Sequence, residues 1–396
     1  MRILIIYRHF WPDSPPYASM LRETSAHLVR GGHEVTILTE QPSYKTADLM
    51  RVTPGVEHLD GVTVERLKRG PGRRLAAVLF PVRAFAMTAL WRLRRRRFDL
   101  VWTATMPPAV NGLGARCVAR LLRARFIYHC QDIYPELQVF TGNWSGSGML
   151  ARLVGWIDRA NTHAADRVVV LSQDMARTIL ARGVPADRIA VLNNFMLPDF
   201  DLDEPAATVT KPKGLFRVIF AGNIGRFQGL DALIDAARLL DDGSNRIEIV
   251  IMGEGAAEAE LRRAAVGLSN VSFVSHRPFR EAAPMIASAD LALVSLKPGI
   301  YRAAYPSKTL TYLGLGVPIL AMIEPESELA QTLHIRRLGR VVPHGDPVAL
   351  AAEIRKAADA KDDGARVRAL RYHAEHLSKE AVLARWTALV SEVGAA

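Results

Sequence analysis

Residues 218–231 read Val218-Ile219-Phe220-Ala221-Gly222-Asn223-Ile224-Gly225-Arg226-Phe227-Gln228-Gly229-Leu230-Asp231. An unbroken apolar run comes first, glycines follow, and a helix-period segment, Asp231–Leu240, begins. Apolar runs without alternation are buried on both faces, as strands of parallel sheets are. Glycine lets a backbone come close to a phosphate, and a helix N-terminus favours an anion. Arg226 adds a planar cation suited to a diphosphate. Read alone, the same turn serves equally as a tight strand–helix connection.

The rhythm extends in both directions. Downstream lie Ile247–Met252, Val271–Ser275, Leu291–Leu296, Ile319–Ile323 and Arg340–Val342, with a helix expected over Lys308–Gly314. Upstream lie Ile3–Tyr7, Val35–Thr39, Val62–Leu67, Leu100–Ala104, Phe126–Tyr128, Val168–Ser172 and Ile189–Leu192. Strands alternating with helices predict βαβ units and parallel sheets. Between the series, residues 198–214 are polar, proline-bearing and without period, which reads as a linker. The chain is thus α/β, with one Rossmann-like domain over 1–197 and a second over 215–375. The tail, 376–396, is helical in pattern, with Trp386 and Leu389 on one face, and is expected to pack back on the first domain.

A length of 396 residues fits two such cores. The net charge of +11 points to anionic partners or to arginines on solvated faces. Cys117 and Cys130 are too few for a disulfide framework or a metal cluster. The N-terminal run is too short for a signal segment, and Pro81 and Arg83 interrupt the longest apolar stretch. No spanning segment is expected, and a cytoplasmic location is.

Ligands of open α/β sheets bind beyond the carboxyl ends of the strands. Besides Gly222, Asn223, Gly225, Arg226 and Gln228, that rim offers Gly253, Glu254 and Gly255, and then Arg277. The segment Lys297–Lys308 is the most informative. It ends Tyr305-Pro306-Ser307-Lys308, and Thr311 lies one turn on. Pro306 and Ser307 are helix-start residues. Lys308 at a positive helix end is unfavourable unless an anion sits there. In the first half, Tyr17 and Arg22 open the first helix, and Asp132 and Glu136 follow a strand. Asp132 is placed to orient or deprotonate an acceptor hydroxyl. Glu136 fits acceptor binding or plain helix capping. Asp199, Asp201 and Asp203 alternate as some metal-binding aspartates do, but inside the linker, where a solvated tether is the better reading.

Residues 73–97 carry an apolar body between Arg73-Arg74 and Arg94–Arg97, with Trp91 near the basic end. That suits an anionic bilayer surface, or a buried helix with a basic exit turn. Nucleic acid is not expected, because the basic run lacks interleaved aromatics.

Taken together these motifs resemble the family 4 GT-B glycosyltransferases over almost the whole chain. They look closest to the branch of aminosugar transferases that builds O-antigen and capsule. The resemblance rests on Gly31-Gly32-His33-Glu34-Val35, Gln131–Glu136, Gly222–Gly225 with Gln228–Leu230, Pro306-Ser307-Lys308 and Gly316-Val317-Pro318. It implies two domains facing a cleft and a retaining transferase with no required metal or other cofactor. The second domain would bind a nucleotide-diphosphate sugar. The first would bind a lipid-linked or polysaccharide acceptor, at the inner membrane face. Arg226 and Lys308 would stabilise the departing diphosphate. Two departures stand out. The family's paired glutamates fall at Ala303 and Thr311, and Pro15-Pro16 replaces the glycine pair of the first loop, so that Tyr17 or Arg22 is expected to contact the acceptor there instead. A sugar-nucleotide epimerase of the same fold and a non-catalytic partner subunit are the alternatives. Donor-only conversion would mark the first, and absence of nucleotide binding the second.

Overall fold

The computed structural model describes residues 1–396 except 14–15, 43–52, 71, 197–208, 210, 226–227, 245, 361, 363 and 396, with backbone alone for Pro16, Arg73 and Arg74. Arg226, Pro15 and the aspartates 199, 201 and 203 therefore lie outside the described residues, as does most of the expected linker. The chain divides into two compact units. The first holds Met1–Leu197, Arg302–Tyr305 and Val382–Ala396, and the second holds Pro198–Tyr301 and Pro306–Ala381.

The first unit runs β1 (Arg2–Ile6), α1 (Pro16–Arg30), β2 (Glu34–Glu40), β3 (Val56–Leu59), β4 (Val62–Leu67), α2 (Arg73–Leu93), β5 (Leu100–Ala104) and α3 (Val110–Leu122). It continues with β6 (Arg125–Cys130), α4 (Glu136–Phe140), α5 (Met149–Ala164), β7 (Arg167–Val170), α6 (Gln173–Ala181) and β8 (Ile189–Val191). The eight-stranded sheet has the order β3-β4-β2-β1-β5-β6-β7-β8. Successive side chains of a strand point to opposite faces. Accordingly Leu4 and Ile6 join one core with Phe80, Ala84 and Val118, while Ile3 and Ile5 join another with Leu21, Leu28 and Trp386.

All expected strands of this half form, and one more does. β3 pairs antiparallel with β4, so the sheet is not purely parallel. Its turn, Asp60-Gly61, takes positive φ at both residues (53° and 81°), the hairpin geometry that Asp-Gly favours. The stretch Leu75–Leu93 is long and apolar enough to cross a membrane by length and composition, with a mean hydropathy of 1.3. This differs from the sequence reading, which stops it at Pro81 and Arg83. In the fold its Phe80, Ala84 and Trp91 are buried in the first core.

The second unit runs β9 (Phe216–Ala221), α7 (Asp231–Leu240), β10 (Ile247–Met252), α8 (Glu258–Ala264), β11 (Val271–Val274), α9 (Phe279–Ala287) and β12 (Leu291–Ser295). Then come α10 (Lys308–Gly314), β13 (Ile319–Met322), α11 (Glu328–Ile335), β14 (Gly339–Val342), α12 (Pro347–Ala360) and α13 (Ala365–His376). Its sheet, β11-β10-β9-β12-β13-β14, is parallel throughout. The last helix, α14 (Lys379–Ala395), joins the first unit from Val382 onward. There Trp386 stacks on Trp102 with ring centroids 4.2 Å apart, and Leu389 and Val393 complete the apolar face.

Candidate active site

In the second unit the site is built where β9 ends. Tyr312 of α10 is buried, and its hydroxyl accepts from the Ala221 amide at 2.9 Å and donates to the Ala221 carbonyl at 3.2 Å. That pair clamps α10 to the end of β9. Lys308 lies one helical turn before Tyr312 on the same face, so the clamp lays its side chain over the strand's end. The ammonium stands 4.6 Å from the centre of the Phe220 ring. A Cβ on Gly222 would come within 2.6 Å of Lys308 Cε and 3.1 Å of Nζ. Its φ of 131° calls for glycine, and the missing side chain leaves room for the lysine to lie along the turn.

No carboxylate pairs with Lys308 among the described residues, and burial pulls its pKa down to about 8. A desolvated, unpaired ammonium is costly in an empty protein and strongly favours an arriving anion. Gly222 and Asn223 beside it are exposed. Ser307 is exposed too and makes no capping hydrogen bond, so its hydroxyl is not committed to the helix as its helix-start position suggests. Thr311 lies in the second turn of α10, half-buried.

Gly253 and Gly255 let the two turns pack on one another. A Cβ on Gly253 would sit 1.9 Å from the Gly222 carbonyl oxygen, and one on Gly255 2.2 Å from that of Ile224. The amides of Gly222 and Ile224 donate to the carbonyls of Met252 and Glu254, each at 2.9 Å. The close backbone approach read from these glycines is thus chain against chain, which stacks the two turns into one rigid rim. Gln228 folds under Gly225, and its amide oxygen is buried without a partner among the described residues. Arg277 lies just before α9, in an exposed pair with Glu281 at 3.2 Å.

Sequence reasoning missed Tyr312, and also His344 and Glu324. His344 packs beneath Gly229, whose φ is 59° and whose Cβ would meet the ring at 2.6 Å. Its Nδ1, like Glu324 Oε2, is buried and unpartnered among the described residues. The position of Tyr312, four residues after Lys308, was a visible signal.

In the first unit Asp132 follows β6. Its backbone bridges Ala304, the amide of Ile133 donates to the Ala303 carbonyl at 2.8 Å, and Thr105 Oγ1 accepts from the Asp132 amide at 3.3 Å. Burial pushes the carboxyl up to about 6, partly offset by a hydrogen bond from Tyr134. Ala303 is fully buried in the first core, with Tyr305 packed against it, so a glutamate at 303 would find no solvated place. Tyr305, expected at the donor, belongs to the first unit.

The neighbouring Glu136 does not cap α4. Arg182 holds it at 2.5 Å and holds the fully buried Asp158 at 2.7 Å, and it also donates to the Tyr134 carbonyl at 2.7 Å. Glu136 is therefore a tie for the loop that carries Asp132. Tyr17 is buried, with its hydroxyl 3.0 Å from His129 Nδ1. Burial lowers the His129 pKa to about 3. Arg22 pairs with Asp60 at 2.7 Å and stacks over Trp11. Beyond β1, two further buried pairs had no sequence signal: Arg8 with Glu40, and His9 with Asp13 at 2.9 Å.

With this geometry in view, likeness to known proteins becomes informative. Residues 17–194 match the glycosyl transferase 4-like domain family, and residues 216–360 match the glycosyl transferases group 1 family. An Escherichia coli chain named as the colanic acid biosynthesis glycosyl transferase WcaI is 26% identical over 360 residues, covering 84% of this chain and 85% of its own. A Pseudomonas aeruginosa chain named as the glycosyltransferase WbjE is 26% identical over 292 residues, covering 72% and 70%. Among solved structures, the sucrose-phosphate synthase of Thermosynechococcus elongatus superposes with a TM-score of 0.74 at 17% identity, over 100% of this chain and 99% of that one. Anabaena HepE, solved with UDP, superposes at 0.70 and 15% identity, over 99% and 100%. At those identities the superpositions speak for the fold alone.

Proposed function

Because this chain belongs to the family 4 GT-B glycosyltransferases of glycan biosynthesis, we propose that it is a retaining transferase that moves a hexose or aminosugar from a nucleotide-diphosphate sugar. The acceptor is a lipid-linked or polysaccharide glycan of the O-antigen or capsule type, met at the cytoplasmic membrane face. The reaction needs no metal. One observation carries the reading: the unpaired ammonium of Lys308 lies along the glycine turn that ends β9. A diphosphate seated on that turn meets a positive charge already desolvated and aimed. The charge that develops on the leaving diphosphate strengthens the contact, which makes it catalytic and not merely adhesive. Arg226 supplies a second cation in the same segment. Asp132 is the carboxylate proposed to orient and deprotonate the acceptor hydroxyl. Anabaena HepE is solved in complex with UDP, which supports a nucleotide donor here.

The test is a thermal-shift screen against UDP, GDP, ADP and dTDP with their sugars. Ligand at a hundred times its dissociation constant adds about 2.7 kcal/mol of stability. A shift with one nucleotide in the wild type, lost in Lys308→Ala, supports the reading. Folded protein that answers to none of them overturns it. Incubation with donor alone separates transfer from epimerisation.

A further inference from the structure

The first unit carries exposed apolar surface on two helices of one layer. On α2 the stripe Leu75, Val78, Val82, Phe85 and Leu93 points to solvent, opposite the buried Phe80, Ala84 and Trp91. On α5 the stripe is Met149, Leu153 and Trp156, opposite the buried Ala151 and Asp158. Trp156 is 70% exposed, a large apolar area for a water-facing helix.

The two helices are held together by α3. A Cβ on Gly114 would come within 2.5 Å of Pro81 in α2, and one on Gly112 within 2.5 Å of Asn161 in α5. Asn161 also donates to the Ala109 carbonyl at 2.8 Å. α3 thus packs against both helices, and each helix keeps its apolar stripe on the side away from its own buried residues. A single isolated apolar residue needs no explanation, but two such stripes on helices packed against the same third helix do.

The charge around the stripes has one sign. Arg92, Arg94, Arg95 and Arg97 leave α2, Arg152 and Arg159 flank the α5 stripe, and all are exposed. None of them forms an ion pair among the described residues. The only carboxylate within α2 or α5 is Asp158, buried on Arg182. Helices that carry an apolar stripe, arginines without an ion pair among the described residues and no exposed carboxylate of their own complement an anionic bilayer.

We infer that α5 is a second membrane-insertion element, and that the first unit docks on anionic lipid through the α2 and α5 stripes together, with Trp156 at the headgroup boundary. The inference rests on the membrane-face reading above and extends it to a surface outside residues 73–97. Two contact lines fix an orientation that one helix, free to roll about its axis, does not.

The experiment is co-sedimentation of the full chain with vesicles of phosphatidylcholine alone and of phosphatidylcholine mixed with phosphatidylglycerol. The wild type is expected on the anionic vesicles only, with binding that weakens as salt rises. Leu153→Ala with Trp156→Ala should lower partitioning about tenfold or more. Trp156→Phe should retain binding but lose the blue shift and the quenching by brominated lipid. The nucleotide thermal shift should be unchanged in every variant, which reports an intact fold. If Val82→Asp abolishes binding and the α5 variants bind as wild type, the inference fails while the membrane-face reading stands. If the wild type binds no vesicle, both fail. Retention after carbonate extraction would overturn docking in favour of a spanning α2. A concentration-dependent dimer lost in Trp156→Asp would assign the face to a second copy.

Discussion

Two loops at the carboxyl ends of parallel strands, one in each unit, treat charge in opposite ways. In the first unit the residues after β6 sit in a closed network. Arg182 satisfies Glu136, Asp158 and a carbonyl at once, and Tyr128 donates to Asp158 at 2.5 Å. In the second unit an ammonium lies against the glycine turn after β9, and no carboxylate among the described residues neutralises it. The carboxyl end of a parallel strand is used once to hold a loop still and once to leave an electrostatic demand unmet. A satisfied network contributes rigidity, while an unsatisfied charge contributes affinity for whatever satisfies it.

The comparison breaks most visibly at Arg182. Arg182→Ala strands Asp158 and Glu136, and such uncompensated buried charge costs about 3–5 kcal/mol. Chemical denaturation should show that loss, with activity falling because the protein unfolds. A change below about 1 kcal/mol would contradict the network reading. Lys308→Ala should do the reverse. Turnover should fall by about 10²–10³, the usual effect of losing a preorganised charge at a developing anion, while the melting temperature holds or rises because a desolvated cation is gone. Lys308→Arg should recover part of the rate. A Lys308→Ala protein that unfolds would make the residue structural.

The pH dependence sharpens the contrast. Burial holds the free Lys308 near 8, and a bound diphosphate favours the charged form and raises it again. Binding therefore takes up a proton above pH 8, and affinity should fall up to about tenfold per pH unit there. Lys308→Arg should flatten that limb in a titration calorimeter. Asp132 titrates on the acid side. Its carboxyl is raised to about 6, so if it deprotonates the acceptor, kcat/KM should climb with pH up to about 6 and level off above it. Asp132→Asn should abolish the acid limb along with most of the rate. The smallest effect is at the clamp. Tyr312→Phe removes two hydrogen bonds to Ala221 and should cost about 1–3 kcal/mol in stability, with nucleotide affinity weakened as Lys308 loses its placement.

Much of this was legible in the chain. The strand list was read from apolar runs because burial on both faces leaves a composition that no solvent-facing strand can carry. The helices Asp231–Leu240 and Lys308–Gly314 form over the same residues as read. β3 escaped because Val56–Leu59 has an exposed and half-buried pattern, although Asp60-Gly61 announced its hairpin. Glu136 and Tyr17 were read as ligand contacts because sequence shows a side chain's chemistry and hides its partner. Arg182 lies 46 positions from Glu136, and His129 lies 112 from Tyr17.

What the sequence determined by itself was local: strand against helix, glycine where the backbone bends, a lysine at a helix start, and hence two α/β units with a phosphate-ready turn. Whether a glycine makes room for a ligand or for another turn was decided only in three dimensions, as with Gly253 against Gly222. So was which charges are paired, because pairing depends on residues brought together by the sheet order and not by the chain. The physical reason is one of range. Hydrophobic periodicity and backbone preference act within a few residues of their source, whereas desolvation and ion pairing depend on whatever the folded surroundings bring within a few ångströms.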